Sequence, residues 1–337
     1  MKYITLSTIN KEDHNNNFFH KDRSWIYKFT RDDKNTGFIH LKKKFLDNNI
    51  TINTSDIKTI KKPILDIQYA DATEIINENT FFLLPEHYLI SPKNKLSKIE
   101  NKYKKIFIQF DEAVDNKKKI KLNTPFVIKP KYDKNFFSRK FFATMIASNK
   151  GCKLYSKKIM YPQRYKTIKW FEKNYPNMFF LYGTDWNLPM KKSGFLGRVY
   201  NFLIKLFKIN NRLSCYKGKA KNKFDILKKT KFNFCYENIS ENGYISDIIF
   251  DSFNNGCVPV YMGPNNIKKY IPSKCFINRN NFKNHEDLFT YLKNFTQKDY
   301  NEMYLNIIKN DKKKKFNKFK KKFIVQKILS EVKKIKD

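Results

Sequence analysis

Between Lys231 and Phe282 the apolar positions of the chain change period twice. KFNFCYEN alternates, with Phe232, Phe234 and Tyr236 on one side, which predicts a β-strand. ISENGYISDIIFDSFNNG then spaces Ile245, Ile248, Ile249 and Phe253 along one helical face, and Asn255-Gly256 ends it. Cys257 to Tyr261 is a short apolar run cut off by Gly263-Pro264, which predicts a buried strand. A strand, an amphipathic helix and a second strand within about thirty residues make a βαβ unit. In parallel sheets, ligands sit beyond the carboxyl ends of the strands and against helix N-termini. Glu237, Asn238, Tyr244, Ser246 and Asp247 fall there, a polar set between two apolar elements. Periodicity alone reads this set equally well as a polar loop with a helix cap.

The same patterning extends over most of the chain. Strands are expected at Tyr3 to Thr8, Ile50 to Thr54, Pro63 to Gln68 and Thr80 to Leu84, with an amphipathic helix over Gly37 to Leu46. Glu86 follows the apolar run that ends at Leu84, so it stands at the mouth of a sheet. Lys140 to Asn149 is again apolar, and PQRYKTIKWFEK presents Tyr165, Ile168, Trp170 and Phe171 as a helical face. LGRVYNFLIKLFKINNRL is basic and amphipathic. It suits a membrane interface, but the preferred reading is a surface helix with its apolar side packed inward. Three regions follow: a first domain over 1–150, a second over 151–310, and a lysine-rich amphipathic tail over 311–337. The tail's Phe316, Phe319, Phe323, Ile328, Val332 and Ile335 recur near helical spacing. It is expected to touch an anionic membrane surface, the alternative being a helix docked on the first domain.

Composition narrows the function classes. An apolar fraction of 41% and aromatics at 16% indicate a globular protein. Lys+Arg of 69 against Asp+Glu of 31 leaves a net charge of +38, which suits a polyanion or an anionic surface. Compositional drift explains it equally, since Lys, Asn and Ile abound while Gly, Ala and Arg are scarce. No nucleic-acid recognition motif accompanies the charge. Five cysteines without metal-ligand spacing read as reduced buried thiols. MKYITLSTIN is not a signal peptide and no apolar run reaches the ~18 residues of a membrane span, so a cytoplasmic location is expected. With the basic tail, that becomes a cytoplasmic protein in peripheral contact with the inner face of the membrane.

FCYEN, GYISDI and GCVPVYMG, in this order and spacing, resemble the donor-binding signature of glycosyltransferase family 10, the α-1,3/1,4-fucosyltransferases. The resemblance covers most of residues 37 to 300. It includes the LYGTDWN turn, with Asp185 where the family has a second Gly, and YKGKAKNKFDILKKTKFNF. It implies an α/β GT-B fold, two Rossmann-like domains facing a cleft, with the acceptor on the first and the nucleotide sugar on the second. The implied enzyme is a hexosyltransferase-class fucosyltransferase moving fucose with inversion from GDP-fucose to a glycan or glycolipid hydroxyl, as in lipopolysaccharide. Glu86 takes the position of the family's proposed catalytic base. Arg164 and Lys223 would meet the donor diphosphate, with the helix N-terminus near Ser246. Asn238 and Tyr244 would line the donor site, and Asp247 would accept from ribose hydroxyls. The family's Glu-Lys pair is Asp247-Ile248 here. No D-x-D sequence is present, so no metal and no cofactor beyond GDP-fucose are expected. A related GT-B enzyme with another nucleotide sugar, and a non-catalytic polyanion- or glycan-binding protein of the same fold, stay open.

Overall fold

The computed structural model describes residues 2–8, 10–20, 36–71 and 77–335, and its strands form two sheets. The first holds β1 (Lys2–Ser7), β2 (Ile50–Thr54), β3 (Leu65–Tyr69), β4 (Thr80–Leu84), β5 (Lys105–Ile108) and β6 (Lys119–Lys121), in the order β2-β1-β3-β4-β5-β6. The second holds β7 (Phe141–Ile146), β8 (Phe179–Tyr182), β9 (Thr230–Tyr236), β10 (Val258–Met262) and β11 (Ile277–Asn278), in the order β11-β10-β9-β7-β8. All these pairings are parallel. Such strands are covered on both faces, and TFFLL of β4 is accordingly buried from end to end. Counted within its own sheet, each order begins 2-1-3-4-5, the doubly wound Rossmann-like arrangement. The winding reverses between β1 and β3 in one sheet and between β7 and β9 in the other.

The helices are α1 (Thr36–Leu46), α2 (Leu96–Ile99), α3 (Tyr161–Asn174), α4 (Gly194–Leu206), α5 (Lys223–Leu227), α6 (Ile248–Asn254), α7 (His285–Lys293), α8 (Gln297–Lys312) and α9 (Lys321–Val332). The chain divides into two units, Met1–Val127 with Asn317–Asp337, and Ile128–Phe316. The boundary therefore precedes residue 150. Phe141 and Ala143 of β7 pair with Thr230 and Phe232 of β9, which binds that strand to the second sheet.

Among the described residues, 311–335 do not form a separate tail either. Phe316 packs on Phe250 and Phe253 in the second unit. Ile324, Val325, Ile328 and Val332 of α9 enter the first unit's core with Phe38 and Phe45 of α1 and Ile4 of β1. This burial takes most of the tail's apolar face out of the membrane contact expected of it, while Phe323 stays exposed. Helix α4 departs in the opposite direction. Gly197 and Ile204 point inward, while Phe195, Leu196, Val199, Phe202, Leu203 and Leu206 are exposed. No helix among the described residues is long and apolar enough to cross a membrane.

Candidate functional site

Beyond the carboxyl end of β9, next to the winding reversal of the second sheet, the chain turns through Glu237 and Asn238. Glu237 is 1% exposed. Its Oε1 accepts from the Ser246 amide and from the Tyr261 hydroxyl, each at 3.0 Å. Gly263 leaves room for this carboxyl: a Cβ there would lie 2.7 Å from Glu237 Cγ. Burial pushes the Glu237 pKa up to about 7, against the hydrogen bonds from Ser246 and Tyr261, which favour the ionised form.

Arg164 on α3 reaches the same turn. It is 7% exposed, and its Nη2 donates to the Tyr236 carbonyl at 2.6 Å and to Asn238 Oδ1 at 3.0 Å. Its guanidinium carbon lies 5.0 Å from the centre of the Tyr161 ring. The Nε atom is buried without a hydrogen-bond partner, and burial lowers the pKa of the group. Asn238 passes the contact on, donating through Nδ2 to the Tyr244 hydroxyl at 3.3 Å. Arg164, Asn238 and Tyr244 thus form one chain of contacts, with the Tyr244 side chain largely buried.

A second group forms around α5 and α6. Lys223 Nζ lies 2.9 Å from Asp247 Oδ2 and 2.6 Å from Asp251 Oδ2. Helix α6 opens at Ile248 with Asp247 as its N-cap residue, later than the spacing of Ile245 suggests. The Ser246 amide is taken by Glu237, which ends the turn before the helix begins. Ile248 is half-buried, in contrast to the fully enclosed Ile249 and Phe253.

Residues that periodicity did not single out support this turn. Thr167 Oγ1 lies 3.0 Å from the Tyr236 hydroxyl and 2.9 Å from His285 Nε2, and His285 stacks on Trp170. Burial, with Arg279 and Lys166 nearby, lowers the His285 pKa to about 4. Lys158 pairs with Glu241 at 2.8 Å, and Asn266 Oδ1 accepts from the Gly243 amide at 3.1 Å. The YEN motif is a local signal for Glu237. Lys158, Thr167 and His285 come from distant stretches and carry none. Among the described residues, no group of His, Cys, Asp and Glu is arranged to hold a metal ion.

Glu86 belongs to the first unit, where it follows β4 on a half-buried loop. Both carbonyls of Pro85-Glu86 are held, the first by Gln109 Nε2 and the second by Asn94 Nδ2 at 3.2 Å. Asn94 also donates to the Ala70 carbonyl at 2.8 Å, tying the loop to the end of β3. The adjacent His87 is buried edge-on against Phe110.

Residues 187–335 match the family model described as glycosyltransferase family 10 (fucosyltransferase) C-term. Over this region the chain is similar to glycosyltransferase family 10. It is 35% identical over 74 residues to the alpha-(1,3)-fucosyltransferase FucT of Helicobacter pylori, a match covering 22% of this chain and 16% of that protein. It is 33% identical over 88 residues to mouse 4-galactosyl-N-acetylglucosaminide 3-alpha-L-fucosyltransferase 9, covering 26% and 24%. The chain thus spans 16% and 24% of the length of these two relatives. Its fold is similar to that of an alpha1,3-fucosyltransferase crystal structure, with a TM-score of 0.52 at 17% identity over 90% of this chain and 80% of that one. An alpha-glucosyltransferase crystallised with UDP-glucose and abasic DNA gives a TM-score of 0.55 at 9% identity over 99% and 100%. These likenesses show the GT-B class of fold, two Rossmann-like α/β units.

The departures from the family 10 pattern have local explanations. Asp185, in place of the second Gly, has φ +66. Asp is among the few non-glycine residues that visit this left-handed region readily. The preceding Gly183, at φ +146, has no such freedom: a Cβ there would lie 1.8 Å from the Ala147 carbonyl oxygen. Lys217, in the YKGKAKNK stretch, lies 5.8 Å from the Phe180 ring centre, with its Nζ donating to the Ser214 carbonyl.

Proposed function

We propose that this chain is an inverting glycosyltransferase that transfers fucose from GDP-fucose to a hydroxyl of a glycan, as in lipopolysaccharide or another surface polysaccharide. One observation carries the reading. The family 10 motifs, though separated in sequence, meet in a single hydrogen-bonded turn at the winding reversal of the second sheet, through Glu237 to Ser246 and Tyr261.

In this reading the acceptor oxygen attacks C1 of fucose and the bond from C1 to the β-phosphate oxygen breaks, its electron pair leaving with GDP. Glu86 takes the acceptor proton as general base. Departing negative charge needs fixed positive charge or aligned N–H groups. Lys223 supplies the first. Arg164 adds a buried cation behind Asn238 and holds that amide in place. Asn238 and Tyr244 line the donor site, Asp247 accepts from the ribose hydroxyls, and Ser246 closes the turn just before α6. The proposed reaction draws on no cofactor besides the donor.

Ile248 favours a second reading, a related glycosyltransferase with another nucleotide sugar, because the family's lysine is absent and Lys223 already faces two aspartates. Calorimetric titration with GDP, UDP and CMP separates the two, followed by turnover of GDP-fucose. The first reading expects GDP to bind best and Glu86→Gln to lose about 10²-fold or more in turnover with GDP affinity unchanged. Preferential binding of UDP or CMP favours the second. Undiminished turnover by Glu86→Gln removes that residue from the role of base.

A further inference from the structure

Helix α4 is fixed to the fold by its narrow side. Ser193 Oγ accepts from the Cys152 amide at 2.9 Å, and the Gly194 amide donates to the Cys152 carbonyl at 3.0 Å. Asn201 brackets Lys192, accepting from its amide at 2.9 Å and donating to its carbonyl at 2.8 Å. Gly197 makes this approach possible, since a Cβ there would lie 2.6 Å from the Lys192 carbonyl carbon. The wide apolar side consequently faces outward. Phe195 is 74% exposed, Leu196 81% and Phe202 63%. The patch continues past the helix to Phe207 and back to Tyr155, whose Cβ lies 3.5 Å from the Cβ position of Gly194. An apolar surface of this extent marks an interaction site.

Charge identifies what covers it. No acidic residue occurs between Asp185 and Asp225, while Arg198, Lys205, Lys208 and Arg212 are exposed in or just after the helix. A basic, strongly amphipathic helix lies in the plane of a lipid interface, with its apolar side among acyl chains and its cations at the headgroups. A second copy of the chain would set these cations against one another. The core of a protein interface is depleted in lysine, whereas Lys205 and Lys208 stand exposed in and just after this helix. We propose that the outer face of α4 docks the protein on an anionic lipid surface.

The test uses the full chain, sedimented with vesicles of phosphatidylcholine alone or mixed with phosphatidylglycerol. The mixed vesicles are expected to bring it down, and the phosphatidylcholine vesicles to leave it in solution. Phe195→Ser with Phe202→Ser and Leu206→Ser, and separately Arg198→Ser with Lys205→Ser and Lys208→Ser, should each lower the partition coefficient by about tenfold or more. Thermal midpoints should stay within a few degrees, because these side chains are exposed, and Lys321→Ser with Lys322→Ser on α9 should keep full binding. The proposal is overturned if the wild type ignores anionic vesicles, or if the α4 variants bind like it. It is also overturned if the wild type elutes as a dimer that the apolar variant dissociates while vesicle binding is absent. That result would give the face to a second copy.

Discussion

Lys223 holds Asp247 at 2.9 Å, and the same ammonium lies 2.6 Å from Asp251. All three side chains are less than a quarter exposed, so the charges are only partly screened. The pairing fixes the start of α6 to α5, and it leaves Asp247 and Asp251 close together whenever the lysine is removed.

Lys223→Ala is therefore expected to cost about 1–3 kcal/mol of stability, largely from two carboxylates without their cation. Adding Asp251→Asn should restore part of that loss, and urea titration of the single and double variants measures the coupling. Strictly additive losses would mean that the two side chains do not interact in solution.

Arg164 should behave as a structural cation as much as a ligand. Arg164→Ala removes hydrogen bonds to Tyr236 and Asn238 and leaves a space beside Tyr161. A loss of about 2–4 kcal/mol is expected from the bonds and the cavity together. If Asn238 lines the nucleotide site, GDP affinity should fall further in this variant than in Arg164→Lys, which keeps the charge. Calorimetry after confirmation of the fold by circular dichroism compares them. Wild-type stability in Arg164→Ala would contradict the buried network.

Glu237 gives the stability a pH dependence of defined sign. Its pKa is pushed from 4.5 to about 7 in the folded chain, chiefly by burial. Between these values the folded state binds more protons than the unfolded state, so this group's stabilisation is present below about 4.5 and lost as pH rises through about 7. The difference amounts to at most about 3 kcal/mol. Glu237→Gln keeps an oxygen for Tyr261 and Ser246 but cannot ionise. The gap between variant and wild-type melting temperatures should shift in favour of the variant from pH 5 to pH 8. A constant gap would show that Glu237 ionises in the fold as it does in water.

The βαβ unit was legible because its apolar residues are periodic over short range. Phe232, Phe234 and Tyr236 do lie in a strand, and Val258 to Met262 form the next one beside it. Other features depend on residues far apart in sequence. Burial of Glu237 requires Gly263 and Tyr261, and the pairing of Lys223 requires Asp251, none of which a local period can reveal. The direction of α4 escaped for a different reason. Amphipathicity identifies two faces, but only Gly197 against Lys192 decides which one turns inward. Similar logic applies to α9, whose lysines suggested a surface and whose isoleucines and valines complete the first unit's core.

Ile248 decides how closely the proposed donor site follows the family 10 pattern, which has a lysine at this position. Its neighbours Ile249 and Phe253 are fully buried, whereas Ile248 itself is only half-buried. Its carbonyl accepts from Cys235 Sγ at 3.4 Å and from Ser252 Oγ at 3.2 Å, and both contacts survive any change of side chain. A lysine can lay its alkyl stem along the surface that Ile248 covers and carry its ammonium outward. Ile248→Lys is thus expected to cost under about 1 kcal/mol of stability. If the diphosphate lies at the start of α6, the new cation should tighten GDP by about three- to tenfold. That is below a full charge-assisted bond, because Asp247 and Asp251 compete for the ammonium. Calorimetric titration of GDP, paired with a urea curve, gives three separable outcomes. Tighter binding with an intact fold supports the site described. A stability loss above about 2 kcal/mol means that the side chain turns to the core and cannot meet a phosphate. An intact fold with unchanged affinity moves the diphosphate away from α6, and with it the roles proposed for Lys223 and Asp247.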